Sequence, residues 1–394
     1  MKNEEMSIPR GWQAIKLADL ATVKKGEQLN RIELTDFGIG KYPALNGGIS
    51  PSGYTDNWNV ESDTITISEG GNSCGFVNFN KERFWCGGHC YALKNVKENI
   101  VKGFLYQSLK SRQDELMRLR VGSGLPNIQK KSIENFSLIV PSFAEQKMIA
   151  EILTSVDDEI RKTDEIISQT EKLKKGLMQN LFTKGIGHKK FKKTKIGEIP
   201  EEWNVLKLIE VAKVERGKFS HRPRNAPEFY GGNIPFIQTG DVVDSNGKIS
   251  MYTQTLNEKG LSVSRLFKKG TIVITIAANI GDTGILQFDS CFPDSLIGIT
   301  PSDKINAVFL EYYLRTKKEY LNSISTQSAQ KNINLEKLNP LLVVLPAKDE
   351  QQKIADILSS IDNKITVDRG FKDELAKLKK GLMQDLLSGK TRTI

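Results

Sequence analysis

The sequence predicts an α+β fold written twice. Two globular middles are separated by two long antiparallel helices, and the whole is a pseudo-two-fold tandem repeat. Three observations predict it. The stretch LKKGLMQ occupies residues 173–179 and returns at 378–384, an offset of 205 in a chain of 394. EQKMIAEILTSVDDEI (145–160) and EQQKIADILSSIDNKI (350–365) match at the same offset. Both matches lie in runs where apolar residues recur at steps of three and four, the period of a helix that buries one stripe.

Taken in order, each copy opens alike. IPRGWQAIKLADLATVKKG (8–26) parallels IPEEWNVLKLIEVAKVERG (199–217) at an offset of 191, and Pro43 parallels Pro235 at 192. The offset grows from 192 to 205 inside the middle, so the second copy carries about 13 extra residues there. The middles hold short β-like runs (TITIS, GFVNF, FWCGGHCYAL; TIVITIA, GILQF, SLIGITP) between Gly- and Asn-rich turns. Helices are expected around 101–119 and 307–323. There is no regular βαβ alternation, which argues against a doubly wound sheet.

Each copy then closes on a strand (FSLIV, LLVVL), a proline (Pro141, Pro346) and a long helix with acids in its first turn (Glu145; Asp349, Glu350). The first stripe reads Ile149, Leu153, Val156, Ile160, Leu177 and Leu181, with Leu173 filling one gap. The second reads Ile354, Leu358, Ile361, Ile365, Leu382 and Leu386, helped by Phe371 and Leu378. A coiled-coil seam between the two copies would bury both stripes. Each helix spans about 57 Å at 1.5 Å per residue. Gly185 and Gly389 suit the stops. The expected divisions are 1–142, a first globular domain; 143–185, a helix; 186–197, a basic linker; 198–346, a second globular domain; and 347–394, a second helix.

The chain carries 57 Lys and Arg against 47 Asp and Glu, a net charge of +10 that suits a partner bearing phosphates. Its four cysteines have no paired framework spacing, so a reducing, cytoplasmic compartment is expected. The N-terminal stretch lacks the apolar run of a signal peptide, and no stretch is apolar enough to span a membrane.

Catalytic signatures are missing. FGIG (37–40) is one residue off the glycine-rich turn of adenosylmethionine sites, and the chain has no Pro-Pro pair for an NPPY-like motif. GKT (389–391) lacks the Walker A glycine, because position 384 is Gln. Pro293-Asp294 has no acidic-x-Lys partner, so it does not read as a nuclease site. Cys86, His89 and Cys90 do not have finger spacing, and Cys86 aligns with Cys291 at the 205 offset, which favours a shared buried strand position over zinc.

The polar loops read instead as a recognition surface. They mix Lys and Arg for phosphates with Asn, Gln and Ser for base edges, among glycines that permit close approach. The candidates in the first copy are Lys24, Lys25, Arg31, Asn46, Ser52, Tyr54, Asn72, Ser73, Ser123, Asn127, Gln129 and Lys130. In the second they are Lys218, His221, Arg222, Arg224, Gln238, Thr239, Asn279, Asp282, Gln327, Ser328, Gln330, Lys331 and Asn332.

With the repeat in place, the chain resembles the specificity subunit of type I restriction–modification systems. The paired EQ…IA.IL…D..I and LKKGLMQ stretches carry the resemblance, with GGNIPFIQTGDV and FPDSLIGITP in the second copy. It implies two target recognition domains, each reading one half of a split, asymmetric site in double-stranded DNA. It implies helices that set the separation and dock two modification subunits. Those partners hold S-adenosylmethionine and methylate adenine; restriction–translocase subunits use ATP with magnesium. This chain is then expected to bind no cofactor and no metal and to catalyse nothing itself. The loops at 122–131 and 327–334 are the best carry-over for DNA contact. A self-contained adenine methyltransferase and a helical scaffold without base readout are the alternatives.

Overall fold

A computed structural model of the chain describes residues 8–30, 33–122, 124, 126–277, 279–325 and 332–393. The candidates Arg31, Ser123, Gln327, Ser328, Gln330 and Lys331 lie outside the described residues. The chain forms two compact units. Unit 1 is Met1–Glu165 with Arg369–Ile394; unit 2 is Ile166–Asp368. Each unit therefore takes part of both long helices, the central one at Phe143–Leu181 and the terminal one at Lys348–Leu387.

The two units are built on one plan. In unit 1 the opening strand Gln13–Lys16 pairs antiparallel with the closing strand Ser137–Val140. In unit 2, Asn204–Lys207 pairs the same way with Leu342–Leu345. The main sheet of unit 1 runs in spatial order Thr22–Lys25, Cys90–Lys94, Thr64–Ser68, Val77–Asn80, all antiparallel. That of unit 2 runs Ala212–Arg216, Leu296–Pro301, Ile272–Thr275, Thr283–Leu286, and then gains Lys248–Ile249 in parallel at the edge. The second sheet is Gly53–Thr55, Tyr42–Leu45, Trp85–Cys86 in unit 1. It is Gln254–Leu256, Tyr230–Phe236, Ser290–Cys291, with Leu266–Phe267 added, in unit 2. The two added strands fall within the length difference expected inside the middle.

The helices expected around 101–119 and 307–323 are each broken in two: Lys102–Ser111 and Gln113–Arg118; Ala307–Thr316 and Lys318–Ile324. The segment 186–197 is not wholly a solvated linker. Phe191–Thr194 and Gly197–Pro200 form an antiparallel hairpin, turned at Gly197 with φ +109°. The five lysines of that stretch dominated the reading by charge and hid a strand-turn-strand pattern.

The apolar stripes do more than form a seam between helices. Ile149, Leu153, Leu382 and Leu386 pack into the core of unit 1 with Leu17, Ile67, Leu105 and Ile128. Leu177, Leu181, Ile354 and Leu358 pack into the core of unit 2 with Leu208, Ile274, Leu310 and Ile333. Val156, Ile160 and Ile361 are half-buried and Ile365 is buried. Leu173, Phe371 and Leu378, expected to help the stripes, are 57%, 48% and 53% exposed and do not.

Two motif contacts explain why the repeated stretches repeat. The first lysine of LKKG grips an aspartate of the other copy. Lys379 Nζ lies 2.6 Å from Asp157 in unit 1, and Lys174 Nζ lies 2.5 Å from Asp362 in unit 2. Each aspartate also fastens the globular part, Asp157 through Gln107 at 2.7 Å and Asp362 through the Tyr312 hydroxyl at 2.6 Å. In the EQ pair, Gln146 accepts from Val101 N and donates to Pro141 O; Gln351 accepts from Asn306 N and donates to Pro346 O. Glu145 accepts from Trp12 Nε1 and a two-pronged Arg392; Glu350 accepts from Trp203 Nε1, His188 and Ile186 N. In the Lys–Asp pairs a copy-one residue meets a copy-two residue, and the reciprocal pair is made in the other unit. Within each unit the two long helices run antiparallel, since Glu145, Asp157 and Asp164 meet Arg392, Lys379 and Lys372 in descending order.

Candidate nucleic-acid interface

In unit 1, four of the polar loops named from sequence converge on one buried acid, Glu69, which is 8% exposed. Lys25 Nζ reaches its Oε1 at 2.7 Å, the Tyr91 hydroxyl donates to the same oxygen at 2.9 Å, and His89 Nδ1 lies 3.7 Å from Oε2. The backbone of Glu69 bonds His89 O and Ile128 N. Burial, then the Glu69 carboxylate, pushes the Tyr91 hydroxyl well above its ordinary range, so it stays a donor. Asn46 accepts from His89 N, Ser73 donates to Gly47 O, and Asn127 bridges the backbones of Gly70 and Val121. Lys24, Asn72, Gln129 and Lys130 are exposed around this centre. Ser52 leads into the second sheet and Tyr54 lies on it, where Tyr54 meets Phe37 edge-on with centroids 5.1 Å apart.

Unit 2 gathers its candidates in two groups. Arg222 and Arg224 both pair with Asp294, and Arg216 Nε donates to Asp294 O at 2.6 Å. His221 lies over Phe229 with centroids 4.2 Å apart. Gln238 Nε2 donates to Gln254 Oε1 at 3.0 Å, and Thr239 opens the short helix beside it. Lys218 N bonds Phe292 O while its side chain is exposed. The second group is the turn at 275–282 with Asn332. Asn332 pairs with the backbone of Ala277, Asn279 is exposed, and Asp282 is tied to Lys318 at 2.5 Å. An acid so engaged is a poor phosphate neighbour, and Lys318 is the cation this reading overlooked.

The two groups of loops sit on matching turns. Cys90 N bonds Gly87 O in unit 1, and Leu296 N bonds Pro293 O in unit 2. Strand registers Lys25↔Tyr91 and Arg216↔Ile297 fix the correspondence. By that register Cys86 corresponds to Phe292, not to Cys291; the 205 offset is one residue short here. Cys86 is buried, and its hydrogen bond with Cys90 together with burial pushes the thiol up, so it is inert. The turn carries Gly87-Gly88-His89 in unit 1 and Pro293-Asp294-Ser295 in unit 2. Gly26 and Gly217 lie against it so closely that an added Cβ would overlap carbonyl oxygens of Cys86 and Gly87, or of Phe292 and Pro293.

Glu69, Tyr91 and Gln254 were missed from sequence, and His89 and Asp294 were weighed only as fragments of zinc and nuclease motifs. Their signal lay in the loops EGGNSCG and FPDSL, but nothing in the linear order says that these acids face Lys25 or Arg224. The geometry supports binding and readout. Among the described residues, no group of three or more His, Cys, Asp or Glu side chains is placed to hold a metal, and no helix is long and apolar enough to cross a membrane.

Known proteins resemble this chain over nearly its whole length. The family described as type I restriction modification DNA specificity domain matches residues 9–172 and 200–377. The type I restriction enzyme MjaVIII specificity subunit of Methanocaldococcus jannaschii is 29% identical over 98% of this chain and 94% of its own. The putative MjaX specificity subunit of the same organism is 33% identical over 99% and 96%. The crystal structure of the type I restriction–modification S subunit from M. genitalium shares the fold, with a TM-score of 0.67 and 21% identity over 98% of this chain and 97% of that one.

Proposed function

The chain belongs to the type I restriction–modification DNA specificity family, and from that premise we propose how this sequence-recognition subunit reads its site. Unit 1 reads one half of a bipartite, asymmetric sequence through the loops around Glu69, and unit 2 reads the other through the loops around Asp294. The long helices act as a coiled-coil spacer and set the gap between half-sites. Their length caps it at roughly 17 base pairs. Two modification subunits dock on the repeated helix surfaces. Leu173 and Leu378, equivalent and exposed in their separate units, are apolar positions for them. Methyl transfer to adenine, with S-adenosylmethionine, and translocation and cleavage, with ATP and magnesium, belong to the partners. Since a duplex hides the adenine in its stack, the partner must flip it out.

One observation carries this reading. The same sheet order and the same turn hold a Lys–Glu–His cluster in unit 1 and an Arg–Asp–Arg cluster in unit 2. Equivalent frames with different loop residues suit two different half-sites; identical loops would suit a palindrome. The test is to map N6-methyladenine in cells carrying the complete system. Replacing residues 10–141 with those of another family member should change one half of the methylated motif alone. Both halves changing would sink the modular reading. Four residues inserted within each LKKGLMQ should lengthen the gap and leave both halves alone.

A further inference from the structure

Unit 2 holds a notch of about 570 Å³ walled by Phe219, Arg224, Tyr230, Phe236, Gln238 and Gln254. Its floor is aromatic, with Phe219 5.4 Å from Phe236 and 5.8 Å from Tyr230, centroid to centroid. Its rim is polar and held in place. Asp294 pairs with Arg224 and with Arg222, the Tyr230 hydroxyl donates to Arg224 O, and Gln238 donates to Gln254. Arg222 Nη1 also donates to the carbonyls of Phe219 and His221 at 2.6 and 2.8 Å.

We infer that this notch is where unit 2 reads a purine edge in the major groove, and that Asp294 is the positioning residue that holds Arg224 for it. The inference rests on the DNA-recognition reading above. Charge arithmetic separates it from a phosphate grip. A loop meant to hold phosphates gains from two free arginines and loses from an acid between them, which cuts their local charge and repels the backbone. A loop meant to read a base gains from that acid. One carboxylate takes part of the guanidinium fork, restrains it, and leaves its remaining donors for a base edge such as guanine O6 and N7. The paired glutamines leave an amide donor and a carbonyl acceptor beside it, the pattern that matches adenine N7 and N6. The packed rings under the rim restrict the loop before DNA arrives, so less entropy is lost on contact. Unit 1 has no such arrangement at its matching turn, where Gly88 replaces Asp294 and His89 faces the acid Glu69.

The experiment is the N6-methyladenine map of cells expressing the full chain with its modification partners, with Asp294→Asn, Arg224→Lys and Gln254→Ala compared with the wild type. Asp294→Asn and Arg224→Lys should each relax the base preference at the same position of one half-site by about tenfold, leaving the other half and the gap unchanged. Gln254→Ala, on an exposed strand residue, should relax preference within the same half-site. Weaker methylation at every site with the base preference intact would make Asp294 merely structural and overturn the inference. If Asp294→Asn gives no methylation at all, Gln254→Ala decides, and an unaltered motif there overturns it. A wild-type map without a bipartite motif would instead overturn the DNA-recognition reading and this inference with it.

Discussion

Where the units meet the helices, Glu145 of unit 1 receives Trp12 and Arg392, and Glu350 of unit 2 receives Trp203 and His188. At the turn beside Gly26 and Gly217, the same backbone carries His89 toward an acid in one unit and Asp294 toward two arginines in the other. A third position shows the contrast inside the core. Helix positions 106 and 110 hold Tyr and Lys, while their equivalents 311 and 315 hold Glu and Arg, an ion pair at 2.6 Å. Burial raises the Glu311 carboxyl and Arg315 offsets it. Lys110 instead donates to Val77 O and Gln113 Oε1, and burial, then nearby Lys379, pushes it down to about 8 against the opposing pull of Asp157. The comparison teaches that the joint keeps its acid, its glutamine and its tryptophan in both units, while the group that completes the acid differs, Arg392 in one and His188 in the other. The candidate loops diverge, as the proposed reading of two different half-sites requires.

The largest effect should come from the joint. Glu145→Ala strands the Trp12 N–H and Arg392, and Glu350→Ala strands the Trp203 and Ile186 N–H groups and the His188 ring; each should cost about 3 kcal/mol. Urea denaturation followed by tryptophan fluorescence measures both. If one unit tolerates the change while the other does not, the joints are not equivalent. Next come Gly26→Ala and Gly217→Ala, whose methyl groups meet backbone carbonyls, at about 2 kcal/mol each. Each should also blur only its own half of the methylated motif. Smaller again are Lys379→Met and Lys174→Met, at about 1 kcal/mol each, because these pairs are only partly shielded from water. Unequal losses would show that the spacing of the LKKG lysine matters in one unit alone. The last is a pH effect at Lys110 in unit 1, beside a like one at Lys317 in unit 2, which burial also pushes down. The folded Lys110 releases its proton near 8, while the unfolded chain keeps it to its ordinary 10.5. Its penalty is therefore full below pH 8 and lifts as pH rises toward 10.5, so stability rises with pH across that window. Lys110→Met should remove the Lys110 share of that gain and leave the share of Lys317; an unchanged slope would rule out Lys110 as a cause.

Much of the fold was legible because duplication is visible in one dimension. The opening and closing strands and both long helices fall where the repeated stretches put them, and helix bounds differ from expectation by a few residues at their ends. Three readings went differently. Charge hid the hairpin at 191–200. A helical stripe says which residues share a face, not what covers it, so Leu173 and Leu378 were assigned to a seam they do not join. Shared cysteines suggested a register one residue away from the one the sheets adopt, and in a strand a one-residue slip reverses the face of every side chain.

The sequence by itself determined that the chain is two copies of one unit, that the motifs bound for the helices repeat, and that the middles differ. Identity at a fixed offset needs no coordinates. Only the tertiary structure decided which polar residues act together. Lys25 meets Glu69 across 44 residues and Arg224 meets Asp294 across 70. Those meetings depend on strand pairing and turn geometry, which set side-chain direction over distances no local pattern spans.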